Sequence, residues 1–246
     1  MDLQLAEKVF IVTGGTSGLG LATARSLIAE GAKVLVTGRS EEKFLRAKAG
    51  MTTGSNFAYL RGDNADPDLP GRLKAAVLAM WGRLDGLMVS VGGPPAGHVL
   101  TTDDEAWRHS FERIFLGTIR LVRDLSPTIA DGGAIALVLA VSAKEAAATV
   151  PISSGLRPGL AMLVKNFADE LGPRGIRINA ILPNLFSTDR VTQLLGDTAP
   201  PTATISLKRI GDPAEFGRMA TVLLSSAASY VTGSALQIDG GQLKVL

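Results

Sequence analysis

The segment Thr13-Gly14-Gly15-Thr16-Ser17-Gly18-Leu19-Gly20 follows a short β-branched run, Lys8–Thr13, and opens an amphipathic stretch, Gly18–Glu30. Glycines at a strand-to-helix turn permit a tight reversal, close approach of backbone to a bound group, and close packing of helix on strand. The free N–H groups at the start of that helix favour a phosphate. A turn of this kind after a first strand points to a doubly wound α/β sheet.

The rest of the chain keeps the same rhythm. Strands are expected at Lys33–Thr37, Asn56–Arg61, Leu84–Val91, Ala134–Val141, Ile176–Leu182 and Ala235–Ile238. Helices are expected at Glu41–Ala49, around Leu73–Trp81, and at Asp103–Leu125, Gly155–Leu171 and Pro213–Ser225. Such alternation gives βαβ units with right-handed crossovers. The expected fold is therefore α/β, a Rossmann-type, seven-stranded parallel sheet flanked by helices, in a single domain over residues 1–246. The stretch 184–212, with Pro200 and Pro201, has neither period. It lies beyond a strand's carboxyl end, where ligands bind in open α/β sheets, and reads as a lid; a plain surface loop is the alternative.

Composition narrows the function classes. The chain is 46% hydrophobic and 20% charged, which suits a packed globule. Its net charge is +2, with Lys and Arg spread along the chain, so no nucleic-acid partner is expected. The absence of cysteine excludes disulfides, thiolate metal sites and a thiol nucleophile. His98 and His109 are the only histidines, so no metal site is expected. The first residues carry no signal-peptide pattern and no apolar run is long enough to span a bilayer, which makes the cytoplasm the expected location.

The second strand ends Val34-Leu35-Val36-Thr37-Gly38-Arg39-Ser40. An acid at that end would bond the ribose hydroxyls of NAD. Gly38 stands there instead, followed by Arg39 and Ser40, and a guanidinium matches a 2′-phosphate. The reading is NADP(H), with a solvated turn arginine as the alternative.

Together these segments resemble the short-chain dehydrogenase/reductase family along the whole chain. Thr13–Gly20 has the spacing of the family's Thr-Gly-x-x-x-Gly-x-Gly cofactor loop. Asp63 follows the third strand, where the family's aspartate bonds the adenine amino group, with Asn64 beside it. Pro173–Asn179 is similar to the family's run into its sixth strand. Pro183 and Thr188 fit the Pro-Gly-x-x-x-Thr segment, with Asn184 in the glycine's place. Arg209–Pro213, Tyr230–Gly233 and Asp239–Gly241 resemble its closing signature. The resemblance implies cofactor contacts from Thr13, Gly14, Thr16, Ser17, Gly18, Leu19, Gly20, Arg39, Ser40, Asp63, Asn64, Ser90, Gly92, Arg157, Pro183 and Thr188.

The family's catalytic Asn, Ser, Tyr and Lys are absent. Alignment puts Ile114, Ala140, Ser153 and Arg157 at those positions, and Tyr59 and Tyr230 lie elsewhere. The family's Asn-Asn-Ala-Gly becomes Val89-Ser90-Val91-Gly92. Val141–Lys144 and Arg157–Leu160, with Gly92-Gly93-Pro94-Pro95, resemble a divergent branch whose Ser-Asn-x-x-Arg occupies the Tyr-x-x-x-Lys window.

Ser142, Lys144, Ser153 and Arg157 are the candidate catalytic residues. Arg157 suits the nicotinamide ribose or a carbonyl oxygen, and Lys144 suits a proton donor. Ser142 and Ser153 equally fit as turn or cap residues, and Lys144 as a solvated loop cation. Asp103, Asp104 and Glu105 read as helix-start partners. Two functions stay open: an NADPH-dependent carbonyl reductase acting on a small-molecule carbonyl substrate, and a catalytically inactive NADP(H)-binding protein or sensor. The family's assembly, together with the apolar Leu156, Leu160, Leu163, Val164 and Phe167 on one helix, implies a homo-oligomer, dimer or tetramer.

Overall fold

The computed structural model describes residues 2–49, 54–196, 198 and 200–245. Seven strands, all parallel, form one sheet in the order β3-β2-β1-β4-β5-β6-β7. They are β1 (Val9–Val12), β2 (Lys33–Gly38), β3 (Phe57–Arg61), β4 (Leu84–Val89), β5 (Ile129–Val138), β6 (Arg177–Pro183) and β7 (Ala235–Ile238). Helices α1 (Gly18–Ala29), α2 (Glu41–Ala49) and α3 (Leu69–Trp81) follow the first three strands. After β4 come α4 (Asp104–Ser110), a π-helical stretch at Phe111–Leu116, and α5 (Gly117–Leu125). Helices α6 (Pro151–Leu171), α7 (Asp189–Leu195) and α8 (Pro213–Leu224) complete the set.

The expected architecture is the observed one. A parallel sheet must be covered on both faces, because its strands carry apolar side chains on both. Two buried clusters do this. One packs Leu73, Leu121, Leu160 and Val164 from the helices against Ile11, Leu87 and Ile178. The other packs Leu27, Phe216 and Ala220 against Phe10, Val36 and Ile181.

Several expected boundaries move, each for a local reason. The third helix, on which Leu73–Trp81 lies as expected, begins at Leu69, because Pro70 sits in the first turn, where the missing N–H costs nothing. The sixth helix starts at Pro151 and not Gly155, for the same reason. β5 spans Ile129–Val138 and not Ala134–Val141, because a 3-10 turn at Val141–Ala143 takes over. The single helix expected at Asp103–Leu125 contains the π stretch. Gly117 explains how closely it packs: a Cβ there would lie 2.2 Å from the Asn64 carbonyl oxygen.

The chain reverses its direction of winding between β1 and β4. A crevice opens at the carboxyl ends of those strands, the place where such sheets bind ligands. No described helix is long and apolar enough to cross a membrane.

Candidate active site

A cleft of about 1000 Å³ lies at that crevice. The Gly14–Gly20 turn forms one wall, and its glycines are there for space. Gly14 has φ +59°, and a Cβ on it would meet the Ser90 carbonyl oxygen at 2.7 Å. A Cβ on Gly20 would meet the Gly14 carbonyl oxygen at 2.3 Å. Ser17 precedes α1 without capping it through its side chain, so the helix's first N–H groups stay open to a ligand. A bare loop feeding an uncapped helix start fits the pyrophosphate of a dinucleotide. Thr16, Ser17, Gly18 and Leu19 also line this wall, with Ser90 and Gly92 at the floor and Pro183 and Thr188 opposite.

At one end of the cleft, Arg39, Ser40, Asp63 and Asn64 come together. No acid occupies the end of β2. A Cβ on Gly38 would meet the Thr16 hydroxyl at 2.5 Å, so a side chain there would have to displace Thr16. The Arg39 side chain is 67% exposed and only loosely paired, with its Nε 3.9 Å from Asp63. The Ser40 hydroxyl accepts from the Lys43 N–H at 3.2 Å and so also starts α2. Thr13 does not line the cleft. Its hydroxyl donates to the Ser90 carbonyl at 2.8 Å and accepts from the Ser90 N–H at 3.0 Å, with Asn64 Nδ2 at 3.3 Å. It braces β1 to β4 under the loop, which corrects its expected direct contact.

At the other end, three of the four candidate catalytic side chains meet. Ser142 Oγ and Ser153 Oγ are 2.8 Å apart. Arg157 Nε donates to Ser153 Oγ at 2.9 Å, and its NH1 donates to the Val138 carbonyl at 3.0 Å. All three residues line the cleft, yet each is at most 5% exposed. Neither serine caps a helix; Ser154 does the local turn work by accepting from the Ala147 N–H. Arg157 has no carboxylate partner among the described residues. Burial, with the Arg190 charge adding to it, pushes its guanidinium down to about 10. It therefore stays charged at neutral pH.

Lys144 is a correction. It is exposed and does not line the cleft, because the 3-10 turn that carries Ser142 inward ends at Lys144 and points it out. The tyrosines are also elsewhere. Tyr59 stacks on Phe44 and donates to the Gly38 carbonyl, and Tyr230 is fully exposed.

The family model for enoyl-(acyl carrier protein) reductase matches residues 14–242. A relative 32% identical over the full length of both chains is the cis-4-hydroxycyclohexanecarboxylate dehydrogenase of Sinomonas cyclohexanicum. A short-chain type dehydrogenase/reductase from Mycobacterium ulcerans superposes with a TM-score of 0.89 at 30% identity, over 96% of this chain and 90% of that one. The chain belongs to the short-chain dehydrogenase/reductase family. L-sorbose reductase from Gluconobacter frateurii, solved with NADPH and L-sorbose, is a further likeness: TM-score 0.90, 28% identity, full coverage of both chains.

The oxidoreductases of this family bind nicotinamide cofactors. At the expected asparagine position Ile114 is 2% exposed and packs into the core. Its carbonyl, in the π stretch, accepts from the Thr118 hydroxyl at 2.6 Å. Ser142, two residues beyond Ala140, is the serine that reaches the Ser153 position.

Two arginines in the cleft were not anticipated. Arg113, on the π stretch, lies 3.0 Å from Asp63 and is mostly buried. Arg190, on α7, donates to the Pro94 carbonyl at 2.5 Å. An isolated arginine in a helical or irregular stretch carries no sequence signal that separates it from a solvated one. The 184–212 segment is pinned at its base by Ser187 N–H to the Gly211 carbonyl at 2.9 Å and Gly211 N–H to the Leu185 carbonyl at 3.0 Å. From that base it sends Thr188, Asp189, Arg190, Val191, Leu194 and Pro201 along the cleft.

Proposed function

We propose that the protein is an NADP(H)-dependent carbonyl reductase in which Arg157 and the Ser142–Ser153 pair replace the family's tyrosine and lysine. The observation that carries this reading is the buried Arg157–Ser153–Ser142 chain opening onto the cleft.

The hydrogen count favours chemistry at this point. Ser153 Oγ accepts from Arg157, and one serine hydroxyl hydrogen is spent between the two oxygens. The other serine hydroxyl is left free to donate to a carbonyl oxygen in the cleft. When bound, NADPH supplies the hydride. As negative charge grows on the carbonyl oxygen, the buried Arg157 cation stabilises it in a site of low dielectric. The free hydroxyl passes its proton to that oxygen, and cleft water restores it through the serine pair. The relatives named for alcohol and sugar oxidoreduction support this reaction class.

A non-catalytic NADP(H)-binding role is the second reading, favoured by the lack of any tyrosine in the cleft. NADPH titration followed by turnover against a broad ketone panel separates the two. Ketone-dependent NADPH oxidation supports the reductase; tight NADPH binding with no turnover on any ketone supports the second reading.

NADPH preference rests on Arg39, exposed at the end of β2 with no acid in the NAD-selecting place. A charge-assisted contact of this type is worth about 1.5–3 kcal/mol. Arg39→Ala is expected to weaken NADPH binding roughly tenfold or more and leave NADH little changed. Equal wild-type affinities for the two cofactors would contradict the assignment.

A homo-oligomer is the proposed assembly. Helix α6 leaves less apolar surface open than its composition suggests: Leu160 and Val164 are buried, and Leu156, Leu163 and Phe167 pack partly on the core. Met162 remains 69% exposed and Phe111, stacked on Phe115, 43% exposed. Light scattering at micromolar concentration is expected to give a dimer or tetramer; a monomer refutes it.

A further inference from the structure

The reaction end of the cleft carries more positive charge than carbonyl reduction requires. Arg157 is 4% exposed and bonded only to neutral groups, Ser153 and the Val138 carbonyl. Arg190 reaches in from α7, half-buried, with its guanidinium against Gly93 and the Pro94 carbonyl. Neither pairs with an acid among the described residues, although most other arginines in the chain do.

The two acids that line the cleft are engaged elsewhere. Asp63 sits with Arg113 at the far end. Asp189 is 76% exposed and faces Lys43 at 3.9 Å. Burial lowers the affinity of both Arg157 and Arg190 for their protons, and the Arg190 charge adds to the effect on Arg157. A buried cation and a half-buried one, neither with a carboxylate partner among the described residues, are the arrangement a bound anion relieves.

The negative charge that develops on a reacting carbonyl calls for one cation, and Arg157 is the one hydrogen-bonded to the serines. Arg190 is left over. The surrounding wall is apolar, with Val91, Ala96, Ala140, Val150 and Leu194. That combination selects an organic acid over a free inorganic anion.

We propose that Arg190 forms an anion subsite beside Arg157, so that the substrates are oxo acids whose carboxylate docks on Arg190 while the carbonyl faces the Ser142–Ser153 pair. This deepens the carbonyl-reductase reading and rests on it. Arg190 then sets specificity from α7, whose Arg190, Val191 and Leu194 already line the cleft.

The test uses a series of aliphatic oxo acids, with the carboxylate one to three carbons from the carbonyl, and the methyl ester of each. Binding to the protein–NADP⁺ complex is measured by calorimetry, and turnover with NADPH in parallel. The subsite predicts that at least one acid binds about ten- to a hundredfold tighter than its ester. Arg190→Met is expected to collapse that ratio towards one, and Arg190→Lys to retain part of it. NADPH affinity, read by titration, is expected to change little in either variant.

Equal binding of every acid and ester in the wild type overturns the subsite, even where ketones turn over. A loss in Arg190→Met that falls on NADPH and spares the acid–ester ratio also overturns it, and assigns Arg190 to the cofactor phosphates. Acid-selective binding without turnover supports the subsite while removing the reductase reading, so the two ideas fail separately.

Discussion

Arg157→Met is expected to lower kcat for carbonyl reduction by about 10²–10³, the usual cost of losing one donor to a developing oxyanion. The same variant is expected to keep a melting temperature no lower than wild type. In most sites losing a buried arginine unfolds the protein, because a partner acid is left alone. Here no partner acid exists among the described residues, so the cost of burying the charge offsets the two hydrogen bonds it makes. The pH dependence follows from the lowered guanidinium. The unfolded chain holds that proton more tightly than the folded one, so this group's penalty is fully present below about 10 and is relieved as pH rises beyond it. The wild type therefore gains stability relative to the variant above that pH. Reduction by the wild type falls over the same range as Arg157 loses its charge. Thermal melts of both proteins across alkaline pH, beside steady-state rates, check each part. A large drop in melting temperature at neutral pH would show that Arg157 is chiefly structural.

Turnover in both directions is expected to be slow near neutrality, by about 10² or more in kcat/KM against a site with a positioned general acid–base, because such a group is worth about 10²–10⁴ and this cleft has none beside the serine pair. Alcohol oxidation requires a group that takes the hydroxyl proton as the hydride leaves. Arg157 is fully charged at that pH and cannot accept it. His98 and His109 are exposed and outside the cleft, Lys144 points away, and Asp63 is held by Arg113 at the far end. Reduction takes its proton from the same serine hydroxyl, backed by water, so the lack of a positioned acid–base slows both directions alike and the overall equilibrium sets their ratio. Rates with activated ketones and NADPH, compared with the matching alcohols and NADP⁺ at pH near 7 and near 9, decide it. Efficient oxidation near pH 7 would mean that a base has been overlooked.

How much of this was readable beforehand depends on the kind of signal. The doubly wound sheet was legible because strand and helix periods alternate, and because Thr13–Gly20 can do little else at a strand-to-helix turn. Most of the cleft-lining positions were legible for the same reason: they follow strands at fixed offsets. Thr13 was misread because its motif position does not reveal that Ser90 takes both sides of its hydroxyl. The π stretch left no trace, since a single widened turn barely disturbs an apolar period. Lys144 and Ser142 looked alike in sequence and were separated only by the direction of one 3-10 turn. Arg190 was invisible because its meaning lies in what it lacks, an acid partner, and in burial, neither of which a linear sequence displays.

In the proposed mechanism a buried arginine behind two serines does the work of the family's tyrosine and lysine. Single-turnover oxidation of NADPH by excess protein with an activated ketone, comparing wild type with the Ser142→Ala/Ser153→Ala double variant, tests it most directly. One alcohol is expected per NADPH in the wild type, with the rate falling about 10²-fold or more in the double variant while NADPH still binds. Wild-type protein that binds NADPH tightly yet leaves it unoxidised, or a double variant that turns over as fast as wild type, would contradict it.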